Sequence, residues 1–227
     1  MIKVAIITIT YNSSNVIIPF LKCLSESSFK DFKLFIIDNN SVDDTVELIY
    51  KIKKIDFQII ENKKNIGVAA ANNIGIKFAL DQGYQKVLLS NNDIVFNKNI
   101  IADLVNFSEN QSSSISSLKI MYEHEKDKIW YCGGFFNFTK GLVPEHLGIG
   151  QSDFGQYNYL KYSDYAPTCF VLFDSKVFST IGFMDEAYFV YFDDTDFFYR
   201  VKKNRNLKLL INQKIKIFHK VGSLTST

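Results

Sequence analysis

The sequence contains no long apolar run and almost no net charge, and these absences exclude several classes of protein. No stretch approaches the roughly 20 apolar residues that a membrane-spanning helix requires. The first 15 residues lack the small-residue cleavage site of a secretory signal. The formal net charge is +2, with Lys and Arg mixed among Asp and Glu. The sequence therefore predicts neither a membrane span nor the strong positive field of a nucleic-acid-binding protein.

Cysteine is also scarce. Cys23, Cys132 and Cys169 are an odd number and show no CxxC spacing, which favours buried thiols over a zinc site or a disulfide framework. A chain of 227 residues that is 47% hydrophobic can bury a large core without such cross-links. We therefore expect a single domain, residues 1–227, in a reducing cytoplasm.

The first half of the chain alternates strand-like and helix-like segments. Four short runs, KVAIITIT, KLFIID, FQIIE and KVLLS, have the aliphatic and β-branched composition of strands buried on both faces. Helices are predicted after residues 12–14, from residue 43 or 44 to about 54, and from about 68 to 83. This order predicts an α/β fold with a Rossmann-related, mostly parallel central sheet flanked by helices.

The second half has weaker signals. Residues from about 107 to 166 carry few clean periodicities and six glycines, which predicts a long, mobile excursion over the surface. After it come a predicted strand TCFVLFD, a short helix ending near Gly182, a helix from about Asp193 to Lys203, and two strands, LKLLI and KIKIFH.

Polar clusters follow three of the predicted strands, at residues 10–12, 38–41 and 91–93. In a parallel sheet the carboxyl ends of the strands share one edge, and ligands bind there. We therefore expect the three clusters to face one site. Any one of them, taken alone, is also typical of an ordinary turn.

Five motifs, TITYN, IIDNNSVDDT, NIGVAAANNIGI, LLSNND and GFMDEAYFVYFDDTDFFYR, together resemble the inverting glycosyltransferases of family two, which have the GT-A fold. The resemblance covers nearly the whole chain and is nearest to the bacterial rhamnosyltransferase-like polysaccharide subgroup. It implies transfer of a sugar from a nucleoside diphosphate sugar to an acceptor hydroxyl, with inversion and with a divalent cation, Mn²⁺ or Mg²⁺. It also implies a nucleotide-binding half, residues 1–106, and an acceptor-binding half, residues 107–227.

The resemblance places the cation near the NND triplet. The resemblance implies that Asp93 binds the cation and that Asn91 matches the first position of the family's triplet. It implies that His219 is a further metal ligand or a phosphate contact. Oxygen ligands suit a hard cation that stabilises a departing diphosphate, and imidazole suits Mn²⁺. Because the triplet has one carboxylate, we expect the diphosphate to supply most of the cation's ligands. The alternative is an Asx turn that closes the strand.

For the nucleotide, the resemblance implies that Asp38 accepts a hydrogen bond from a pyrimidine ring and that Thr10 and Tyr11 flank the base. For Asn72, tight helix packing is an equal alternative to ligand contact. The expected donor site comprises Thr10, Tyr11, Asn12, Asp38, Asn65, Gly67, Asn72, Asn91, Asn92 and Asp93.

The catalytic base is implied to be Asp194, with Asp193 in place of the glutamate usual in the family. Two adjacent carboxylates at a helix start leave this assignment open, because one of them can serve as a helix cap. Contacts to the acceptor or sugar are expected from Asp185, Glu186, Trp130 and Arg200. Packing is the alternative for Trp130, and Arg200 can pair with Asp196 one helical turn away.

Two rival functions remain at this stage. A nucleotidyltransferase would have a Gly-rich loop with a basic residue after the first strand, and TYNSSNVI lacks both. A non-catalytic nucleotide-sugar-binding protein is the second. For an enzyme of the resembled subgroup we expect a lipid-linked saccharide acceptor and weak attachment to the inner face of the cell membrane. Relatives commonly continue with helices beyond the position of His219, so we expect a truncated or a compact member.

Overall fold

Ten strands form one central sheet in the part of the chain that the computed structural model describes, residues 3–159 and 161–222. Their bounds are β1 Val4–Thr10, β2 Phe32–Asp38, β3 Phe57–Glu61, β4 Lys86–Ser90, β5 Ile94–Val95, β6 Ile115–Tyr122, β7 Ile129–Tyr131, β10 Lys161–Tyr162, β11 Phe170–Asp174 and β12 Leu209–His219. A separate hairpin pairs β8, Gly134–Asn137, with β9, Val143–His146.

Six helices pack around this sheet in the described ranges. They are α1 Ile17–Ser25, α2 Thr45–Tyr50, α3 Val68–Asp81, α4 Ile100–Asn110, α5 Lys176–Ile181 and α6 Asp193–Lys203. Helix α3 packs against β1, β2 and β4, and α4 packs against β6, β11 and β12. Helix α2 ends at Tyr50 rather than near Lys54, since the chain turns there and places Ile55 in the core before β3.

The directions of the strands confirm the predicted fold class. The strand order is β10-β12-β6-β11-β4-β1-β2-β3, with β5 beside β12 and β7 beside β6. Strands β1 to β4 pair in parallel, and so do β6 and β12, whereas β11 runs antiparallel to both β4 and β6. Because β4 and β6 both run opposite to β11, and β12 is parallel to β6, strands β6 and β12 point the same way as β4. The carboxyl ends of β1, β2, β4 and β12 therefore lie on one edge.

The prediction that residues 107–166 run as an excursion over the surface is wrong for β6. Strand β6 lies inside the sheet between β11 and β12, and its first seven residues are buried. Ser116 and Ser117 are fully buried; the Ser117 hydroxyl donates to the Phe170 carbonyl at 2.8 Å, and the Ser116 hydroxyl bonds with that of Ser113. These hydrogen bonds allow the serines to be buried. Because the serines interrupt the aliphatic pattern by which buried strands are detected, the sequence did not indicate this strand.

The prediction of two separate strands from LKLLI and KIKIFH is also wrong, because both belong to β12. Asn212 pairs with Leu118 and Lys216 with Lys119, so a bulge separates two consecutive pairs. The polar segment between them is typical of a turn, but Gln213 is buried and donates its side-chain amide to the Cys132 carbonyl. A bulge bends a strand without ending it.

The predicted burial of the thiols is confirmed, because Cys23, Cys132 and Cys169 are all buried. Among the described residues, no helix has both the length and the apolar character needed to cross a membrane.

A buried ion pair holds the loop that follows β9 against the sheet. Lys119, in β6, is 1% exposed, and its Nζ donates to both oxygens of Asp153 at 2.8 and 2.9 Å and to Asn158 Oδ1 at 2.9 Å. Burial raises the pKa of Asp153, but hydrogen bonds from Lys119 and from the Gly155 N–H outweigh it, so the pKa lies below its usual value. This pair explains why a glycine-rich segment is ordered.

Replacing Lys119 should therefore destabilise the protein strongly. Lys119→Met leaves the Asp153 carboxylate unpaired, and we expect a loss of about 3 kcal/mol in the free energy of unfolding, measured by urea denaturation. Lys51→Met is the control, since the Lys51–Glu47 pair is exposed on α2 and should leave the midpoint unchanged. Equal effects of the two variants would contradict the interpretation.

Candidate active site

Asp38, at the end of β2, is held by hydroxyl and amide donors. The Thr10 and Ser41 hydroxyls donate to Oδ1 at 2.7 and 2.6 Å, and the Ser41 N–H donates to Oδ2 at 2.8 Å. Asp38 is 2% exposed. A carboxylate offers about four lone-pair positions, so one remains for a further donor.

The loops that follow β1 and β2 are tied together beside Asp38. Asn12 has a left-handed backbone (φ 47°); its side-chain oxygen accepts the Val42 N–H at 2.9 Å, and its own N–H donates to the Ser41 hydroxyl at 3.0 Å. The Tyr11 ring is left 46% exposed at this edge. The structure thus brings Tyr11 and Asp38 together, while Asn12 fastens one loop to the other.

The NND triplet ends β4 as predicted. Asn92 is fully buried, and its Nδ2 donates to the Ile9 carbonyl at 2.8 Å and to Ser13 Oγ at 3.1 Å. It therefore joins the ends of β4 and β1. The Asn91 N–H donates to the Cys169 carbonyl at 2.8 Å, which fixes the start of β11 beside the triplet.

Asp93 and His219 form a buried pair. Asp93 Oδ1 lies 3.1 Å from His219 Nε2, and the two residues are 5% and 6% exposed. Two ligands about 2.1 Å from a cation, at adjacent corners of an octahedron, lie about 3 Å apart. The spacing of this oxygen and nitrogen therefore fits two ligands of one Mn²⁺ or Mg²⁺ ion.

The protein alone does not complete such a site. Among residues 3–159 and 161–222, no group of three or more His, Cys, Asp and Glu side chains is arranged to hold a metal ion. His219 Nδ1 is buried without a hydrogen-bond partner, whereas metal-bound histidines usually donate from that second nitrogen. The donor set fits a cation whose remaining ligands come from a diphosphate and water.

A row of rings leads from His219 toward the predicted base. Trp130 contacts His219 edge-to-face, with centroids 4.6 Å apart, and contacts His146 at 5.0 Å. The His146 ring stacks on Tyr165 at 5.7 Å, and the Tyr165 hydroxyl donates to Asp194 Oδ2 at 2.6 Å.

A buried thiol gives independent evidence that the two acids are neighbours. Burial raises the pKa of Cys169 well above its usual value, and the charges of Asp93 and Asp194 raise it further. Both carboxylates thus lie within electrostatic reach of one side chain. Asp93 and Asp194 therefore lie on the same side of the molecule, near Cys169.

The two acids that begin α6 differ in their surroundings. Asp193 is 4% exposed and its Oδ2 has no hydrogen-bond partner; burial, with the adjacent charge of Asp194, raises its pKa to about 6. Asp194 is partly exposed. Burial raises the pKa of Asp194, while hydrogen bonds from Tyr165 and Thr195 lower it in part.

Asn73, together with the predicted site residues Asn72 and Glu186, fastens the segment before α6. Asn73 Nδ2 donates to the Met184 carbonyl and to Glu186 Oε1, each at 2.9 Å, and Asn73 Oδ1 accepts the Met184 N–H at 3.0 Å. Asn72 is 5% exposed and its Nδ2 lies 3.7 Å from Met184 Sδ. Asn72 therefore packs inside the protein, which is the alternative to ligand contact that the sequence left open.

Arg200 also has a structural role. Its Nη1 and Nη2 donate to the carbonyls of Ile181 and Phe183 at 2.7 and 2.8 Å, and its Nε donates to Asp196 at 2.9 Å. The predicted pairing with Asp196 is confirmed. These contacts direct the guanidinium into the protein, and they do not support the expected contact with acceptor or sugar.

Gly67 allows two backbones to approach closely. The Val68 N–H donates to the Phe189 carbonyl at 2.7 Å, and a Cβ on Gly67 (φ +86°) would lie 2.5 Å from that oxygen. The Gly67 carbonyl accepts from Asn39 Nδ2 at 3.2 Å, and its N–H donates to Asn65 Oδ1 at 3.0 Å. The missing side chain of Gly67 therefore makes room for the backbone of Phe189, and not for a ligand.

Residues 188–192, which we call the aromatic segment, are exposed rather than part of the core. Their exposed fractions run from 36% for Tyr188 to 60% for Tyr191. Tyr191 and Phe192 both have left-handed backbones, with φ of 65° and 61°. Asp185 and Glu186, just before this segment, are exposed as well.

His146 and Tyr165 are the site residues that the sequence analysis missed. Both lie in the region assigned to a mobile excursion, and neither belongs to a motif. The scarcity of histidine, three in the whole chain, is the one signal that points to His146. Nothing in the local sequence marks Tyr165.

A polar recess of about 370 Å³ opens at the opposite edge of the sheet, near the start of β4. Lys86 lines it, but this lysine is 5% exposed and its Nζ is paired with Glu109 at 2.9 Å and Ser108 at 3.1 Å. Because its charge is neutralised within the protein, we do not assign the site to this recess.

Comparison with known proteins gives a family whose members' activity agrees with the geometry at the carboxyl edge. The model of the family described as "Glycosyl transferase family 2" matches residues 5–179. The chain belongs to glycosyl transferase family 2. This membership argues against the rival nucleotidyltransferase.

Two relatives with similar sequences carry the names of sugar transferases. The low-salt glycan biosynthesis hexosyltransferase Agl10 of Haloferax volcanii is 27% identical over 172 residues, which cover 74% of this chain and 52% of Agl10. The dTDP-rhamnosyl transferase RfbF of Shigella flexneri is 25% identical over 222 residues, covering 95% of this chain and 68% of RfbF. The chain thus spans about half of one relative's length and two thirds of the other's.

A solved structure supports the fold. GalNAc-T7, crystallised with UDP, GalNAc and Mn²⁺, superposes with a TM-score of 0.75 at 11% identity, covering 96% of this chain and 44% of that one. This likeness shows the GT-A fold, as expected from the sequence motifs.

The raised pKa of Asp193 predicts a pH-dependent stability. An aspartate has a pKa of about 3.9 in an unfolded chain, so the native state, with a value of about 6, binds this proton more tightly. The stabilisation from that proton is present below about pH 4 and is lost as the pH rises through 6. Asp193→Asn removes the titration, and its free energy of unfolding relative to the wild type should rise between pH 4.5 and 7.5 by about 2 kcal/mol.

Urea denaturation at the two pH values measures this difference. The exposed Asp81, at the end of α3, supplies the control Asp81→Asn. If Asp193→Asn follows the wild type at both pH values, the assigned ionisation of Asp193 is incorrect.

Proposed function

We propose that this protein is an inverting glycosyltransferase that moves a hexosyl or deoxyhexosyl group from a nucleoside diphosphate sugar to an acceptor hydroxyl. The observation that carries the proposal is the shared position of Asp38, the Asp93–His219 pair and Asp194 at the carboxyl edge of one sheet in a family 2 chain. The name of Agl10, a glycan biosynthesis hexosyltransferase, and that of RfbF, a dTDP-rhamnosyl transferase, support a place in glycan synthesis. We assign a bacterial surface polysaccharide or glycolipid as the product.

The nucleotide end of the donor is assigned to the ends of β1 and β2. The remaining lone pair of Asp38 would accept the ring N–H of a pyrimidine, and the exposed face of Tyr11 would cover the base. Uracil and thymine both carry such a donor at N3. We therefore assign UDP or dTDP as the nucleotide.

The diphosphate is assigned to the Asp93–His219 pair. These two side chains would hold a divalent cation together with the diphosphate oxygens, and Asn91 borders them. When bound, the cation neutralises the negative charge that grows on the leaving diphosphate. The partner-free Nδ1 of His219 makes His219 the weaker ligand of the pair.

Asp194 is assigned as the base. It takes the proton of the acceptor hydroxyl while that oxygen bonds to the anomeric carbon and the bond from this carbon to the diphosphate oxygen breaks. Attack opposite the leaving group inverts the configuration. Asp194 is partly exposed, whereas Asp193 is 4% exposed, so an acceptor reaches Asp194 more readily.

The acceptor side is assigned to Trp130, Asp185 and Glu186, with the aromatic segment beside them. Exposed aromatic rings bind sugar rings by stacking, with polar groups reading the hydroxyls. We assign a lipid-linked saccharide as the acceptor. The protein would then act at the cytoplasmic face of the membrane through peripheral contact.

Asp194→Asn tests the enzymatic proposal. The change removes a proton acceptor but little volume, so transfer should fall by about 10²- to 10⁴-fold, while the affinity for the donor stays within a few-fold. Product formation and donor binding are measured on the same preparation. Unchanged transfer would reject Asp194 as the base, and a wild type inert toward every donor and acceptor would favour a non-catalytic binder.

Asp93→Asn tests the cation assignment. Ligands that bind only the native state raise the unfolding temperature, so UDP or dTDP with Mn²⁺ should stabilise the wild type more than nucleotide alone. The variant should lose the part that depends on Mn²⁺ and retain the part due to nucleotide. Asp81→Asn should behave like the wild type. A stabilisation that EDTA and Asp93→Asn both leave intact would refute the assignment.

A further inference from the structure

Tyr165 is held rigidly by its neighbours. It is 4% exposed and packs against His146 of β9, Phe136 of β8 and Phe198 of α6, with ring centroids 5.7 to 6.1 Å away. Its backbone carbonyl accepts the Tyr131 hydroxyl at 2.6 Å. Side chains from four elements therefore fix both the ring and the backbone, and rotation of the hydroxyl is the main freedom left.

That hydroxyl points at the candidate base. The 2.6 Å from Tyr165 Oη to Asp194 Oδ2 is typical of an O–H donor on an ionised carboxylate. Tyr165 precedes β11, whereas Asp194 begins α6, so the contact joins two separate elements. A phenylalanine would fill the same aromatic cluster; the hydroxyl adds the directed contact to one oxygen of Asp194.

We propose that Tyr165 is the positioning residue of the base: its hydroxyl holds one oxygen of Asp194, so that the other faces the acceptor hydroxyl and the carboxylate stays ready to take a proton. This inference rests on the proposed function. It adds a residue outside all of the motifs, contributed by the segment between β10 and β11.

The electrostatic surroundings give the direction of the expected change. The ionisable groups near Asp194 are Asp193 on its own helix and Tyr165 and Cys169 from the segment before β11, with Tyr131 behind Tyr165. The Tyr165 hydrogen bond lowers the pKa of Asp194 against the effect of burial. Without the hydroxyl, burial acts without this opposing hydrogen bond, and the Asp194 carboxylate binds its proton more tightly.

Tyr165→Phe tests the inference. The acidic limb of the kcat profile should move to higher pH by about half to one unit, and kcat at neutral pH should fall about tenfold, while donor affinity changes less than twofold. Tyr157→Phe is the matched control. The Tyr157 hydroxyl donates to Gln151 Oε1 at 3.0 Å and its ring packs against Met121 and Ile129, outside the aromatic cluster around Tyr165, so its loss should leave the acidic limb in place.

A readout that does not depend on transfer separates this inference from the proposed function. In protein with ¹³C-labelled aspartate, the carboxyl signal of Asp194, identified by its absence in Asp194→Asn, should titrate at higher pH in Tyr165→Phe than in the wild type. Because Asp193 and Asp194 titrate as a coupled pair, the comparison is made between variants.

Two results overturn the inference: an Asp194 titration that Tyr165→Phe leaves unchanged, or an acidic limb that Tyr157→Phe moves equally. An inactive wild type in which the titration still shifts would instead reject the proposed function, and the catalytic role of Tyr165 with it, while leaving its hold on Asp194 in place.

Discussion

The shared direction of β1, β2, β4, β6 and β12 is the constraint on which the candidate site depends. Backbone hydrogen bonds fix the registers that place Thr10 opposite Asp38 and Phe170 opposite Ser90. Because these registers are fixed, polar residues far apart in the chain meet at one edge. A slip of one residue in β11 would turn its side chains to the other face of the sheet and displace Cys169 from Asn91.

Polar groups at this edge are of two kinds. Those of Asp38 and Arg200 are bonded within the protein and hold loops in place. Asp193 Oδ2 and His219 Nδ1 are buried without partners, and such atoms cost about 1–3 kcal/mol each. Groups of the second kind lie beside the residues assigned to chemistry, as expected where a protein trades stability for function.

Local signals explain which parts were predictable from the sequence. Strands β1 to β4 are short aliphatic and β-branched runs, and the triplet at residues 91–93 interrupts such a run, so both the fold and this edge were accessible. Strand β6 was not, because buried serines interrupt its aliphatic pattern and the partner of Ser117, Phe170, lies 53 residues away. The same holds for Tyr165, whose partner lies 29 residues away, and for Arg200, whose carbonyl partners no motif specifies.

The close approach at Gly67 has a mechanical consequence. Asn39, beside Asp38, is bonded to Gly67, and the next residue, Val68, is bonded to Phe189 of the aromatic segment that leads into α6. A displacement of the loop after β2 must travel along this short chain of bonds or break one of them. The left-handed backbones of Tyr191 and Phe192 cost about 1–3 kcal/mol each and lie at the far end of this series of bonds, so the contacts around Gly67 help to hold the start of α6 in a strained conformation.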